Sequence, residues 1–276
     1  MNAPPVYGLV LAGGRSSRMR RDKAAIEFHK GQTQLDAAMK LLEGRVARAF
    51  ISVRSDQASD PTRARHERIV DRGDVEGPIA GISAAFAEHP DAAWLVLACD
   101  LPFLDASTLD TLLAARAAGQ VATAFKSTHD GLPEPLCAIY EPRARVALAE
   151  HIASGRNCPR KFLINAATHL LEQPNPRALD NVNTVEEYER AMSSLNERQI
   201  RVQYYALLRE QAGRSEETLN TGARDARELY DELRQRYPFT LPAEMLRVAI
   251  NAEFGEWSQP LEAGDAVVFI PPVAGG

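Results

Sequence analysis

"YGLVLAGGRSSRMRRDK", residues 7–23, decides how the rest of the chain is read. Its opening "YGLVLA" has the length and apolar continuity of a strand buried on both faces, and two glycines then stop it. After such a strand the chain turns at the carboxyl edge of a sheet, where open α/β folds bind their ligands. Gly13 and Gly14 allow the backbone N–H groups to approach an anion closely, and Arg15, Arg18 and Lys23 add positive charge. The spacing fits neither the dinucleotide pattern GxGxxG nor the P-loop GxxxxGK[ST], so neither of those mechanisms carries over. A phosphate-holding loop is one reading; a tight turn with a solvated basic rim is the other.

Outward from this loop, short runs rich in Val, Ile and Leu alternate with helical patterns: "TQLDAAMKLLEG", "AFISVR", "RIVD", "GPIAGISAAFAEH", "WLVLAC", "STLDTLLAARAAG" and "VATAFK". Apolar strands separated by helices predict a parallel sheet covered on both faces. "LCAIY" and "THLLE" read as further strands, and "RARVALAEHIASG" and "NTVEEYERAMSSL" as helices. The polar "SSLNERQ" then has the composition of a linker. Beyond it, strands in "QIRVQYY", "EETLNTG", "LRVAINAEF" and "AVVFIPP" surround a helix in "DARELYDELRQRYP", which predicts a small α+β domain. The boundary falls near residue 197, giving domains 1–197 and 198–276.

The composition agrees with two segments of separate history. All five lysines precede residue 162, and residues 198–276 carry arginine alone. A net charge of -5 excludes a general nucleic-acid or membrane-surface binder. No signal-peptide pattern and no bilayer-length apolar run stand in the sequence, so a cytoplasmic protein is expected. Cys99, Cys137 and Cys158 lack the paired spacing of a zinc site or disulfide framework and read as reduced thiols.

The pattern LAGG-x-S-x-R-M, followed shortly by Asp-Lys, resembles the signature loop of the nucleotidyltransferases with a Rossmann-like, GT-A type fold. Within that group the chain is most similar to the molybdenum cofactor guanylyltransferases. "IVDRGDVEGPIAGI", "WLVLACDLPFL", "EPLCAIY" and "DNVNTVEEYERA" agree in order and spacing, so the resemblance covers roughly residues 6 to 195. It implies Mg²⁺-dependent transfer of GMP from GTP to molybdopterin, with release of pyrophosphate. It places Leu11, Ala12, Gly13, Gly14, Lys23, Asp71 and Asp100 on the nucleotide, makes Asp100 the Mg²⁺ ligand, and gives Lys23, Arg18 and Asp100 the catalytic roles. Asn181 and Asn183 match positions near the acceptor.

The residues carry plainer readings beside these. Asp100 ends an apolar strand just before Pro102, and it also precedes the helix near Ser107, which an aspartate can cap. Asp71 ends "RIVD", as a strand-end turn residue would. "EGPIAGI" is either a helix start or a platform for a purine, and Thr184 with Glu187 has the spacing of a capping box. Arg156 and Arg160 are candidates for the acceptor's phosphate or parts of a solvated basic face. Two departures from the pattern stand out: Arg20 and Arg21 follow Arg-Met where Gly is usual, and Arg54 stands where an Asn often faces the nucleotide.

Residues 200 to 276 resemble the sulfur-carrier small subunit of molybdopterin synthase, a ubiquitin-like β-grasp protein. The resemblance rests on "VQYYALLREQAG", "VAINAEF" and "PLEAGDAVVFIPPVAGG". It implies that the carboxyl group of Gly276 is adenylated and then converted to a thiocarboxylate. The partners so implied are molybdopterin or its molybdenum-bearing form, the large subunit of molybdopterin synthase, and a carrier-activating adenylyltransferase. A cytidylyl- or sugar-phosphate transferase with a passive β-grasp domain, and an inactive transferase domain that docks the carrier, are the alternative readings.

Overall fold

The structure, a computed structural model, describes residues 3–13, 26–29, 32–57, 59–60, 63–71 and 73–272. The chain divides into two compact units, residues 1–188 and 189–276.

In the first unit the elements run β1 (Val6–Leu11), β2 (Glu27–His29), β3 (Gln32–Thr33), α1 (Gln34–Leu42), β4 (Arg48–Val53), β5 (Arg68–Val70) and α2 (Pro78–Glu88). They continue through β6 (Ala93–Ala98), α3 (Ala106–Ala114), β7 (Ala122–Lys126), β8 (Pro133–Tyr140), α4 (Ala144–Ala153), α5 (Pro159–Asn165), β9 (Thr168–Leu171) and α6 (Val185–Asn196), the last of which straddles the division. Seven strands form one sheet in the order β5-β4-β1-β6-β8-β7-β9, and β2 and β3 make a separate ribbon.

Both sheet faces are covered, as the unbroken apolar runs require. Alternate residues of β1 and β6 go to opposite sides: Val10, Leu95 and Leu97 join Leu35, Leu42, Leu109 and Leu112 from α1 and α3. Leu9, Trp94 and Val96 join Ile79, Ile82 and Phe86 of α2, with Leu148 and Phe162 of α4 and α5. Each fully buried Leu, Ile or Phe contributes about 1.5–3 kcal/mol.

The strands expected to run parallel, β1, β4, β5, β6 and β7, share one direction, and the further strand β8 runs antiparallel to both β6 and β7. The reason is local: Gly131, at φ 71°, turns the chain straight back, and Ser127 N donates to Leu132 O over 2.8 Å. The remaining topology has one consequence for the site. From β1 the sheet is built outward through β4 to β5, then resumes at β6 on the other side of β1. The gap beyond the ends of β1 and β6 is therefore the topological switch point.

The "SSLNERQ" stretch is not a linker. Helix α6 continues to Asn196, and the first strand of the second unit, β10 (Arg198–Tyr204), begins two residues later. Val185, Tyr188, Met192 and Leu195 keep a helical apolar spacing through the polar letters, and that spacing decides the outcome.

The second unit continues with α7 (Ala206–Ala212), β11 (Glu216–Thr221), α8 (Ala226–Arg236), β12 (Arg247–Ile250), β13 (Glu253–Gly255) and β14 (Ala266–Ile270). Its sheet order is β11-β10-β14-β12-β13, with β10 and β14 parallel at the centre. Leu229, Tyr230 and Leu233 of α8 pack on Ile200, Val202, Val248, Val267 and Phe269, so one helix lies across a mixed sheet in the β-grasp manner. Strand β13 and helix α7 add to the expected β-β-α-β-β order. The first follows from a two-residue hairpin in which Asn251 and Ala252 both take positive φ, 52° and 69°. The second is a short helix closed by Gly213 in the left-handed region.

Candidate active site

The carboxyl ends of β1, β4, β5 and β6 carry those expected nucleotide-side residues that the structure describes: Leu11, Ala12, Gly13, Asp71 and Asp100. Leu11 pairs with Ser52 on one side and Ala98 on the other. Ala12 N donates to Ser52 O over 3.0 Å, which extends the β1–β4 ladder by one residue. Gly13 follows at a place where only glycine fits well. A Cβ there would stand 3.0 Å from Asp71 Oδ2 and 3.4 Å from the backbone N of Arg54. Gly14, Arg15, Arg18, Arg20, Arg21 and Lys23 lie outside the described residues, as does Gly276.

Asp71 leaves the end of β5 with its N–H on Val53 O, 2.8 Å away. Its Oδ1 accepts from the Ser52 hydroxyl, so the carboxylate is pulled in beside Gly13. Burial lifts the Asp71 carboxyl above the ordinary carboxylate range; the Ser52 hydroxyl and the Arg54 guanidinium act in the opposite direction and offset part of this. Beneath them lies α2, which starts at Pro78 after Gly77 at φ 82°. Gly81 of this helix abuts Ser52: a Cβ would fall on the hydroxyl, 2.9 Å from Ser52 Cβ and 3.0 Å from Leu11 Cδ2. The glycines of "EGPIAGI" thus serve a helix start and a close helix-to-strand approach.

On the other side of the switch point Asp100 follows β6. Its carbonyl accepts from Val182 N over 3.1 Å, which sets exposed Asn181 and half-buried Asn183 next to it. The neighbouring segment is pinned twice more. Asn175 Nδ2 donates to Asp105 Oδ2 over 2.8 Å, and the Arg177 guanidinium lies 4.1 Å from the Phe103 ring centre. Asp105, not Asp100, caps α3, accepting from Thr108 N. The capping reading of Asp100 is thereby replaced. Burial raises the Asp105 carboxyl, but the hydrogen bonds from Asn175 and Thr108 outweigh it and hold the group below its usual range. Thr184 and Glu187 form the expected box: Glu187 N donates to Thr184 Oγ1 over 3.2 Å, and Glu187 Oε2 accepts from Thr184 N and Asn183 N.

Arg160 is held between Asp130 and Glu134 at 3.1 and 2.9 Å, and Arg156 Nε donates to Ser154 Oγ. The sequence reading missed Ser52, Asp60 and Arg63. Ser52 reads as one polar letter in an apolar strand, and Arg63 sits in a polar loop without any motif. Among the described residues no group of three or more His, Cys, Asp or Glu is disposed to hold a metal. Asp100, at the end of β6, offers carboxylate oxygens, the donor type that a hard cation such as Mg²⁺ takes, commonly together with substrate phosphates.

Gly13, Asp71 and Asp100 stand at the carboxyl ends of β1, β5 and β6, the edge at which a covered α/β sheet offers a ligand site. Residues 8–170 match the MobA-like NTP transferase domain, and the chain belongs to that family. Residues 202–276 match the ThiS family. The chain is 35% identical over 184 residues to a molybdenum cofactor biosynthesis bifunctional protein of Synechocystis sp., covering 67% of this chain but only 53% of that protein, so it spans about half the length of this relative. It is 31% identical over 189 residues to a molybdenum cofactor guanylyltransferase of Pseudomonas putida, covering 66% of this chain and 95% of the relative. The crystal structure of molybdopterin-guanine dinucleotide biosynthesis protein A from Archaeoglobus fulgidus shares the fold of the first unit. Its TM-score is 0.55 at 23% identity, covering 67% of this chain and 96% of that one. No helix among the described residues is long and apolar enough to cross a membrane.

Proposed function

We propose that the chain is a bifunctional protein of molybdenum cofactor biosynthesis, with a guanylyltransferase over residues 1–197 and a sulfur carrier over 198–276. What supports the first activity is the MobA-like match, together with Gly13 beside Asp71 at the end of β1 and Asp100 at the end of β6, the strand next to it. A phosphate oxygen of molybdopterin attacks the α-phosphorus of GTP; the new P–O bond forms as the bond to the β-phosphate breaks, and pyrophosphate leaves. Transfer of this kind is mostly positioning and charge neutralisation. Mg²⁺, when bound at Asp100, supplies positive charge to the phosphate oxygens. The glycine-loop amides with Lys23 and Arg18 hold the leaving pyrophosphate, Asp71 lies on the nucleotide side, and Asn181 and Asn183 line the acceptor side.

In the second unit the reactive group is the carboxyl of Gly276, in the Gly-Gly pair that closes the ThiS match. The carboxylate attacks the α-phosphate of ATP on a partner adenylyltransferase, releasing pyrophosphate, and sulfide then attacks the acyl carbon, displacing AMP to leave a thiocarboxylate. The large subunit of molybdopterin synthase is the partner that receives this sulfur. Pyrophosphate release measured with GTP, CTP, ATP and UTP, with molybdopterin as acceptor and Mg²⁺ present, tests the transferase; a preference for CTP would overturn the guanylyl assignment. Intact mass after incubation with an activating enzyme, ATP and a sulfur source tests the carrier, and no oxygen-to-sulfur exchange at Gly276 would overturn that half.

A further inference from the structure

Two arginines close on the backbone at the root of the glycine loop. Arg63, fully buried, donates from Nη2 to Ala12 O over 3.0 Å, and its Nη1 lies 3.0 Å from Asp60 Oδ2. Arg54 donates from Nη1 to Gly13 O over 2.7 Å, while its Nε and Nη2 form a fork on the two oxygens of Asp56, each at 2.9 Å. Successive carbonyls, Ala12 and Gly13, are thus each held by a guanidinium that is itself fixed by an aspartate.

We propose that Arg54 and Arg63 are positioning residues that hold the backbone of Ala12 and Gly13 at the root of the glycine loop, and that they act on the triphosphate through that backbone. This rests on the nucleotidyltransferase reading above. In a trans peptide the C=O and the following N–H lie in one plane and point in opposite directions. Arg63 therefore fixes the Gly13 N–H as well as the Ala12 carbonyl, and aims it away from the guanidinium. Ala12 is held from the other side too, through its own N–H on Ser52 O. A Cβ on Gly13 would meet Asp71 Oδ2 at 3.0 Å and Arg54 Cγ at 3.4 Å, so both side chains stand close beside this residue.

Charge alone does not explain the pair. Asp56 and Asp60 offset the charges of Arg54 and Arg63, so these two arginines add little net field of their own. Desolvating a guanidinium as completely as Arg63 is costly unless its donors are met, and packing could be achieved by an apolar side chain of similar size. What an apolar chain cannot do is hold a carbonyl. Arg54 occupies the position where the family often has an Asn facing the nucleotide, and here that side chain faces the loop backbone instead.

The test uses the full chain with Arg54→Asn, Arg54→Lys and Arg63→Lys, and reads binding of Mg-GTP, of pyrophosphate and of guanosine by calorimetry, with thermal unfolding alongside. Loss of a charge-assisted hydrogen bond weakens binding by about tenfold or more. Arg54→Asn and Arg63→Lys are expected to weaken GTP and pyrophosphate by the same factor and leave guanosine unchanged, with Arg54→Lys intermediate. KM for GTP rises in step. Unchanged GTP affinity in Arg54→Asn, or a loss confined to guanosine, would overturn the proposal. Arg54 is part-exposed, so its variants carry the test even where Arg63→Lys fails to fold. A parent chain that binds CTP in place of GTP sinks the guanylyl reading and leaves the comparison intact with CTP; a parent that binds neither triphosphates nor pyrophosphate overturns both.

Discussion

The backbone N–H of Val182 donates to the carbonyl of Asp100 over 3.1 Å, so the end of β6 and the asparagine loop form one bonded unit. Asp100 follows the strand that pairs with β1, and its backbone carries the connection to the asparagine loop. Asp100→Asn keeps that backbone bond and the shape of the side chain and removes the negative charge. Asp100→Asn is expected to lower Mg²⁺-dependent pyrophosphate release by about 100-fold or more, the scale at which a charge-stabilising group is lost from a transfer site. Its unfolding midpoint should stay with the parent. Retained turnover at ordinary Mg²⁺ would remove Asp100 from the metal.

Asp71 makes the opposite prediction for stability. Its folded-state pKa lies above the ordinary value, with burial as the main cause. The folded chain then holds a proton that the unfolded chain has already released, so stability falls as pH rises from the ordinary carboxylate range through the raised value. Near neutral pH the cost is fully present. Asp71→Asn, which can still accept from Ser52, is expected to unfold at a higher temperature than the parent at neutral pH. That advantage should fade as pH falls toward about 4. Nucleotide transfer should drop in the same variant. A lower midpoint at neutral pH would show that the carboxylate stabilises the fold.

In the second unit Glu217 is a hub. Its Oε1 accepts from Tyr204 Oη at 2.6 Å and from Tyr237 Oη at 2.8 Å, and Tyr204 is buried. Burial first, and then Glu217, drive the Tyr204 hydroxyl well above its ordinary pKa, so it donates as a neutral phenol. Glu217→Ala strands that hydroxyl and should cost about 1–3 kcal/mol. Glu217→Gln keeps an acceptor and should cost much less. Hydrogen exchange across β10 and β11 reads the difference, and equal losses in the two variants would rule out the hub.

Much of this architecture is legible because it depends on local periodicity. Unbroken apolar runs such as "WLVLAC" mark strands covered on both faces, and the Thr184–Glu187 spacing marks a helix start. The features that escape depend on partners distant in sequence. Strand β8 runs against its neighbours because of the turn at Gly131, and an apolar run carries no direction. "SSLNERQ" reads as linker by composition, although Leu195 and Met192 continue a helical stripe. At the site, Asp71 and Asp100 are visible as carboxylates ending apolar strands. Ser52 and Arg63 are not, since a serine in a strand and an arginine in a polar loop acquire meaning only when the fold sets them against Asp71 and Ala12.

Gly81 provides the sharpest separation of packing from polar function. Replacing a helical glycine by alanine ordinarily gains about 0.5–1 kcal/mol. Here the new methyl meets Ser52 Cβ at 2.9 Å and the hydroxyl more closely still, on a strand packed from both sides. Overpacking of this kind costs about 1–3 kcal/mol, so Gly81→Ala is expected to destabilise on balance. Ser52→Gly removes the obstacle, and the double variant should recover stability relative to Gly81→Ala alone, a coupling of the size seen between residues in contact. Activity should behave differently. Gly81→Ala displaces the Ser52 hydroxyl from Asp71, and Ser52→Gly deletes it, so the double variant regains fold without regaining transfer. Recovery of both together would mean that the Ser52–Asp71 bond serves the packing of β4 against α2 and does not orient the carboxylate.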